Sequence, residues 1–474
     1  MRLSIFILFM VFGFARGSSA QEAEVAQLNA RVRSLEERLA QVQAKLEAME
    51  ARPNEVQGNA VRAAPSQTTP PVPPQRNAAS LTNATPDQEI RNRDVLSNNL
   101  VAAPRIDNIP LYSSSQGFIL LDDQTRLQLG GYAKVDVIHD FQPAGFPTAF
   151  IPSTIPIGAI APYNNTNLHI NESRLSLDLR RDTNLGELRF YYENDFFGGD
   201  GVEPVYHLYH LYGQLHNFLL GYTYSTFLDV DTDPDTLDFQ GPNGNTYATQ
   251  AQVRYTQPLG GGNSLAVSVE QPLTDIQTRS SNTSATHSVP DFALKYRFDA
   301  EQGHLQVSSI FRDLRGYSPI LGESHVFGWG LTFAGAHSVA SRDSVLFQMN
   351  YGQGIGRYLI DLDGQAADAA FNAQGNLQAL PAFGGYIAYQ HSWSPRWRST
   401  ATYGYVHVQN LSTQLPEAFH SSQYAAANLI WKIRDAISVG GEFLYGTHVQ
   451  NNRADAEATR LQFSIQYDLF PPRR

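Results

Sequence analysis

The chain has 474 residues, no cysteine and a formal net charge of -11, and only 17% of its residues are charged. Disulfides, a thiol nucleophile and a thiolate metal site are therefore excluded, and the acidic balance argues against nucleic acid as the main partner. After the first twenty residues no apolar run reaches the roughly 20 residues of a membrane helix, which excludes helical membrane proteins but not β-barrels, whose strands alternate.

Residues 1–20 read as an export signal. Arg2 precedes an apolar stretch, and Gly17, Ser18, Ser19 and Ala20 suit cleavage before Gln21; an uncleaved anchor is the alternative. Residues 21–51 follow as a predicted coiled coil. Val25, Leu28, Val32, Leu35, Leu39, Val42, Leu46 and Met49 alternate three and four apart, which is a heptad seam. Across parallel chains Arg31 would face Glu36, and Lys45 would face Glu50, pairs that favour a parallel, in-register oligomer of unspecified number. A lone amphipathic helix is the alternative. Residues 52–115 hold Pro53, Pro65, Pro70, Pro71, Pro73, Pro74 and Pro86 among small polar residues; no period survives, and a polar, extended linker is expected.

From residue 116 to 474 the pattern changes to period two. Glu172, Arg174, Ser176, Asp178 and Arg180 alternate with Leu175, Leu177 and Leu179, and Asp291, Lys295 and Arg297 alternate with Phe292, Leu294, Tyr296 and Phe298. About sixteen strands fit between 126 and 469, an even number as in single-chain bacterial barrels. Connections at 141–167, 226–245, 271–288 and 354–381 are long; those at 183–186, 259–262, 340–342, 394–395 and 434–436 are short. A soluble sandwich would also alternate, but segregated loop lengths mark an all-β, antiparallel transmembrane barrel with both ends on the short-turn, periplasmic side. A barrel of this size leaves an aqueous channel, and its many inward charges need water or partners.

Several stretches resemble the DcaP-like outer-membrane porins. They are Gly130-Gly131-Tyr132-Ala133-Lys134-Val135-Asp136, Tyr192-Glu193-Asn194-Asp195-Phe196-Phe197, Leu220-Gly221 with Ser225-Thr226-Phe227, and the run from Pro234 to Gly244. Gly328-Trp329-Gly330, the run from Tyr351 to Tyr358, and Arg460-Leu461-Gln462-Phe463-Ser464 complete the set. The resemblance implies a homotrimer in the bacterial outer membrane, with the coiled coil in the periplasm and passive uptake of small, mostly anionic solutes such as dicarboxylates. No Ser or Asp arrangement resembles a hydrolase motif, and no enzymatic activity or cofactor is expected. Three basic positions of the family are His207, Tyr209 and Thr249 here, and the terminal aromatic is Leu469, followed by Phe470-Pro471-Pro472-Arg473-Arg474. The first departure bears on anion preference and the second on the assembly signal.

Two groups of residues are candidates for the pore. The third long-side loop holds Asp229, Asp231, Asp233, Asp235 and Asp238. In general porins this loop commonly folds inward, and an acidic loop facing a basic wall makes a transverse field; a solvated surface loop is the alternative. An EF-hand is rejected, because Gln240 stands at the twelfth position and Pro234 at the turn. The inward basic set is Lys134, Arg174, Arg180, Arg189, Arg254, Arg297 and Arg312, with Arg174 and Arg254 on strands flanking the third loop. These residues either meet anionic solutes or pair with Glu172, Asp178, Glu187 and Glu193 in the wall. Gly352, Gly354 and Gly356 mimic a phosphate loop without the helix or Lys it needs, and His207, His210 and His391 read as wall residues. A structural outer-membrane anchor with a periplasmic spacer, and a cation-preferring general porin, remain the alternative functions.

Overall fold

The computed structural model describes residues 119–158, 164–277, 284–318 and 322–469. The export signal, the coiled coil with its seam, the linker and the extension from Phe470 to Arg474 all lie outside the described residues. Among the described residues, sixteen antiparallel staves form one closed barrel. They are β1 (Thr125–Asp140), β2 (Asn165–His169 continued by Arg174–Thr183), β3 (Gly186–Asp195), β4 (His207–Leu215), β5 (Phe218–Tyr224), β6 (Thr249–Gly260), β7 (Asn263–Glu270) and β8 (Asp291–Ala300). The second half comprises β9 (Gly303–Ser318), β10 (Gly322–Ala340), β11 (Asp343–Gln353), β12 (Pro381–Ser394), β13 (Trp397–Val408), β14 (Phe419–Arg434), β15 (Ile437–Gln450) and β16 (Asp455–Asp468). The barrel closes where β1 meets β16, from Tyr132 opposite Asp468 to Asp140 opposite Arg460. No strand edge is left over at this seam, as hydrocarbon surroundings demand.

Alternation explains which face each residue takes. On β8, Phe292, Leu294, Tyr296 and Phe298 are exposed on the outside, whereas Asp291, Ala293 and Lys295 are buried inside. This inversion of the soluble pattern is stable only if lipid bathes the outer wall. Near the short-turn end Trp397 and Trp431 stack outside with ring centroids 5.2 Å apart, part of an aromatic girdle.

The structure moves two predicted boundaries. The second strand, expected unbroken over 168–182, is interrupted at 170–173, where Ser173 N–H donates to the Ile170 carbonyl and Phe196 N–H to that of Asn171. The sequence pattern suggests strands at 205–213 and 216–225, but the turn between them falls at His216 and Asn217, with His216 at φ 50°, and Gly213 stays in β4. The loop side is also less uniform than expected: β15 and β16 are joined by the tight turn 451–454.

Candidate pore constriction

The third loop leaves β5 after Tyr224 and rejoins the wall at Thr249. Its first residues are tied down, because Ser225 Oγ and Thr226 N–H donate to the Glu270 carboxylate at 2.6 and 2.8 Å. Phe227 is then buried against Ile310, Ile355 and Tyr358 in an apolar cluster inside the barrel. A single 3-10 turn, Val230–Thr232, is capped by Asp229, whose side chain accepts from Asp231 N–H. The chain next crosses the lumen. Tyr386 Oη on β12 donates to the Thr232 carbonyl at 2.8 Å, and Arg398 on β13 pairs with Asp235. Leu237 N–H donates to Glu442 on β15 at 2.5 Å. The Leu237 carbonyl accepts from Lys134 on β1 at 2.7 Å and Gln462 on β16 at 2.8 Å. Asn243 donates to Ser422 on β14 at 2.8 Å. The loop backbone then presses on β12: a Cβ on Gly244 would lie 2.3 Å from the Gly385 carbonyl oxygen, so only glycine fits.

The loop therefore lies inside the barrel, not over its surface. Of its aspartates, Asp229 and Asp238 are buried, Asp231 and Asp235 half-buried, and Asp233 exposed.

Two further loops meet it. From the first (141–164), Phe150 packs on Tyr424, Leu444 and Ala458 and its N–H donates to Asp238 at 2.8 Å. From the sixth (354–380), Asp361 accepts from Ser153 N–H at 3.0 Å and from Ser422 Oγ at 2.5 Å. Burial pushes the carboxyl of Asp238 up to about 6 and that of Asp361 up to about 7. Both values exceed the roughly 3.9 of an unfolded aspartate, so the docked loops are favoured below about pH 4 and progressively less as pH rises through 6 and 7. Limited proteolysis of the reconstituted protein should cut these loops faster at pH 8 than at pH 5. Asp361→Asn should flatten that dependence; an equal slope in the variant would sink the assignment.

The seven basic residues all belong to the inner wall, and each is engaged with partners there. Lys134 pairs with Glu172 and, at 3.5 Å, with Asp136. Arg174 meets Glu193 at 3.1 Å, while Arg180 and Arg189 share Asp178 at 2.9 and 2.8 Å. Arg297 binds Asp229, Asp231 and Asp299 at 3.2, 2.9 and 2.8 Å. Arg312 binds Asp291 and Asp368 at 3.0 and 2.9 Å. Arg254 bonds the Gln252 side chain and the Tyr224 carbonyl. Lys134, Arg189, Arg254 and Arg312 are buried, whereas Arg174, Arg180 and Arg297 are half-buried. Arg254 lies against the root of the third loop, and Arg312 donates to the Gly354 carbonyl of the sixth at 2.6 Å.

Sequence reasoning left Arg398 and Arg460 outside the basic set. Arg398 holds Asp235, and Arg460 holds Asp140 at 2.6 Å and the Phe146 carbonyl at 2.8 Å. Inward alternation marks Arg460, but its loop partner is distant in sequence. His304 was also missed; its Nε2 lies 2.8 Å from Asp229. Asp229, Asp231 and His304 bring potential metal-ligand atoms within 4.8 Å of one another, but the Arg297 guanidinium already occupies this position, in contact with both carboxylates. The three expected wall histidines divide: His207 meets Asp195 at 2.8 Å, buried His210 meets Thr223 at 3.0 Å, and His391 meets Asp343 at the short-turn end.

The profile of the DcaP outer membrane protein family matches residues 109–469. The outer membrane channel DcaP of Acinetobacter baumannii superposes with a TM-score of 0.66 at 20% identity, covering 75% of this chain and 100% of that one. An anion-selective porin from Comamonas acidovorans gives 0.48 at 10% identity, over 73% of this chain and 100% of that one. OmpF of Salmonella typhi in complex with daunomycin gives 0.48 at 8%, over 74% and 100%. No curated protein matches the chain.

Proposed function

Because the chain belongs to the DcaP outer membrane protein family, an outer-membrane barrel of the porin type, we propose that it provides a water-filled path for passive diffusion of small hydrophilic solutes. The observation that carries this reading is solvent-accessible charge on the inner wall. Arg174 and Glu193, close to Phe239 of the third loop, keep 21% and 12% of their side-chain surface exposed. Charged groups survive inside a barrel when water reaches them, and a bare anchor has no use for them. Vesicles carrying the full chain should swell in isotonic solutions of small uncharged solutes, more slowly as solute size grows. Folded barrels that leave the vesicles unswollen would favour the anchor.

The solute class follows from the charges that face water. Small anions such as dicarboxylates, the preference implied by the family resemblance, need net positive charge at the narrowest point. Arg174, Arg180 and Arg297 each face a carboxylate within about 3 Å, whereas exposed Asp233 has an amide partner, Asn245, and no ion pair among the described residues. That balance supports the cation-preferring alternative.

The same reading takes the active form as a homotrimer, with barrels touching through apolar outer faces and the 21–51 seam parallel in the periplasm. Deleting 21–51 should lower the trimer fraction in cross-linking while leaving the barrel's heat-modifiable mobility intact, since strand pairing is internal to each chain. Loss of that mobility would contradict it.

A further inference from the structure

The inner wall behind the third loop carries a patch that simple diffusion does not require. Arg174 lies over the ring of Tyr209, with Cζ 3.9 Å from the ring centroid, and 5.9 Å from the ring of Phe239 on the third loop. Tyr209 is buried beneath it, so the guanidinium plane is held from below. Glu193 accepts from Arg174 at 3.1 Å and from the Tyr191 hydroxyl at 2.5 Å. Around this pair, Tyr132, Phe239 and Tyr247 are half-exposed. The Phe239 ring is fixed by stacking on Phe197, with centroids 3.8 Å apart and planes at 18°.

The chemistry of this patch is specific. Its aromatic faces favour flat, weakly polar surfaces rich in C–H groups. Its ion pair offers guanidinium donors and carboxylate acceptors side by side, a match for adjacent hydroxyls. Its charge is balanced: the guanidinium is committed to Glu193, which disfavours a carboxylate ligand, and the carboxylate is committed to Arg174 and Tyr191, which disfavours a cation. A pyranose ring answers all three conditions, with a C–H face for the aromatics, neighbouring hydroxyls for the pair and no charge. We propose that Tyr132, Arg174, Glu193, Phe239 and Tyr247 form a subsite for a neutral polyhydroxylated solute, a short glycan of pyranose units, on the path through the barrel. This assignment rests on the diffusion-channel reading.

Calorimetric titration of the detergent-solubilised full chain with a linear α-1,4-linked glucose hexasaccharide tests it, with polyethylene glycol of similar size as control. Saturable heat is expected for the glycan alone, with saturable blockade of current in planar bilayers. Phe239→Ala and Tyr132→Ala should each weaken binding about tenfold, as loss of an aromatic contact does; heat-modifiable mobility verifies that each variant folds. Absence of saturable heat with the unmodified chain, or binding unchanged in both variants, overturns the subsite. A chain that conducts without binding the glycan loses the subsite only. One that binds without conducting loses the diffusion channel only.

Discussion

Replacing Arg312 with alanine should release the sixth loop from the barrel wall. The Arg312 side chain is fully buried between Asp291 and Asp368, and it also donates to the carbonyls of Gly354 and Leu273. Asp368 is itself a hub, accepting from Arg357 N–H at 3.0 Å and Asp275 N–H at 2.9 Å. Removing one partner of a buried pair leaves an uncompensated charge, at a cost of about 3–5 kcal/mol, and here two carboxylates are left. These contacts work together with the apolar packing of Ile355, Tyr358, Leu359 and Phe371 to hold the loop between β11 and β12, and without them the loop should undock before any strand unpairs. Added protease should then cut within 354–380, and ionic current should rise. Arg312→Ala with Asp368→Asn should restore part of the docking, because it removes one stranded charge. A loop as resistant in Arg312→Ala as in the unmodified protein would contradict the bracing role.

Asp233→Asn should reduce the preference for cations by about fivefold. Two unit charges about 4 Å apart in water interact by about 1 kcal/mol, which is a factor of about five in a permeability ratio. Asp233 is the loop carboxylate most open to water. Enclosure by the barrel, then the neighbouring carboxylates of Asp229 and Asp231, push its pKa up to about 7, so that it is mostly ionised at pH 8. Reversal potential across a salt gradient at pH 8 reads the effect, and lowering the pH through 7 should mimic the substitution. Asp235→Ala should shift selectivity in the same direction for a different reason, since it frees the Arg398 guanidinium. An unmodified pore that already prefers anions, with neither variant changing the sign, would return the preference to small anions.

The barrel was legible because its code is local. Period-two alternation at Phe292, Leu294, Tyr296 and Phe298 fixes the outward face within one strand, and neighbouring strands repeat it. The two boundary errors are also local in origin. A strand ending at 213 stops two residues short, because it is His216 that takes the left-handed conformation of the turn, and nothing in the alternation of residues 168–182 marks the break before Ser173. The inner loops were legible only as positions. The aspartates of the third loop were visible, yet their partners lie far along the chain: Leu237 meets Glu442, Asp235 meets Arg398 and Asp238 meets Tyr424. The same holds for Arg254 and Arg312. Their inward direction follows from strand register, but their covering by the third and sixth loops depends on contacts that no sequence spacing encodes. The wall pairs were easier, because Arg174 with Glu193 and Arg189 with Asp178 sit on adjacent strands joined by a short turn.

Single-channel current through the full chain in a planar bilayer, before and after residues 229–244 are exchanged for a short Gly/Ser bridge, tests most directly whether the barrel is a pore narrowed from within. Because the third loop crosses the lumen and bonds to strands on several sides, the unmodified chain should give discrete conductance steps, and the bridged chain clearly larger ones with weaker ion selectivity. Correctly folded barrels that insert without conducting, or that conduct equally with and without the loop, would contradict it.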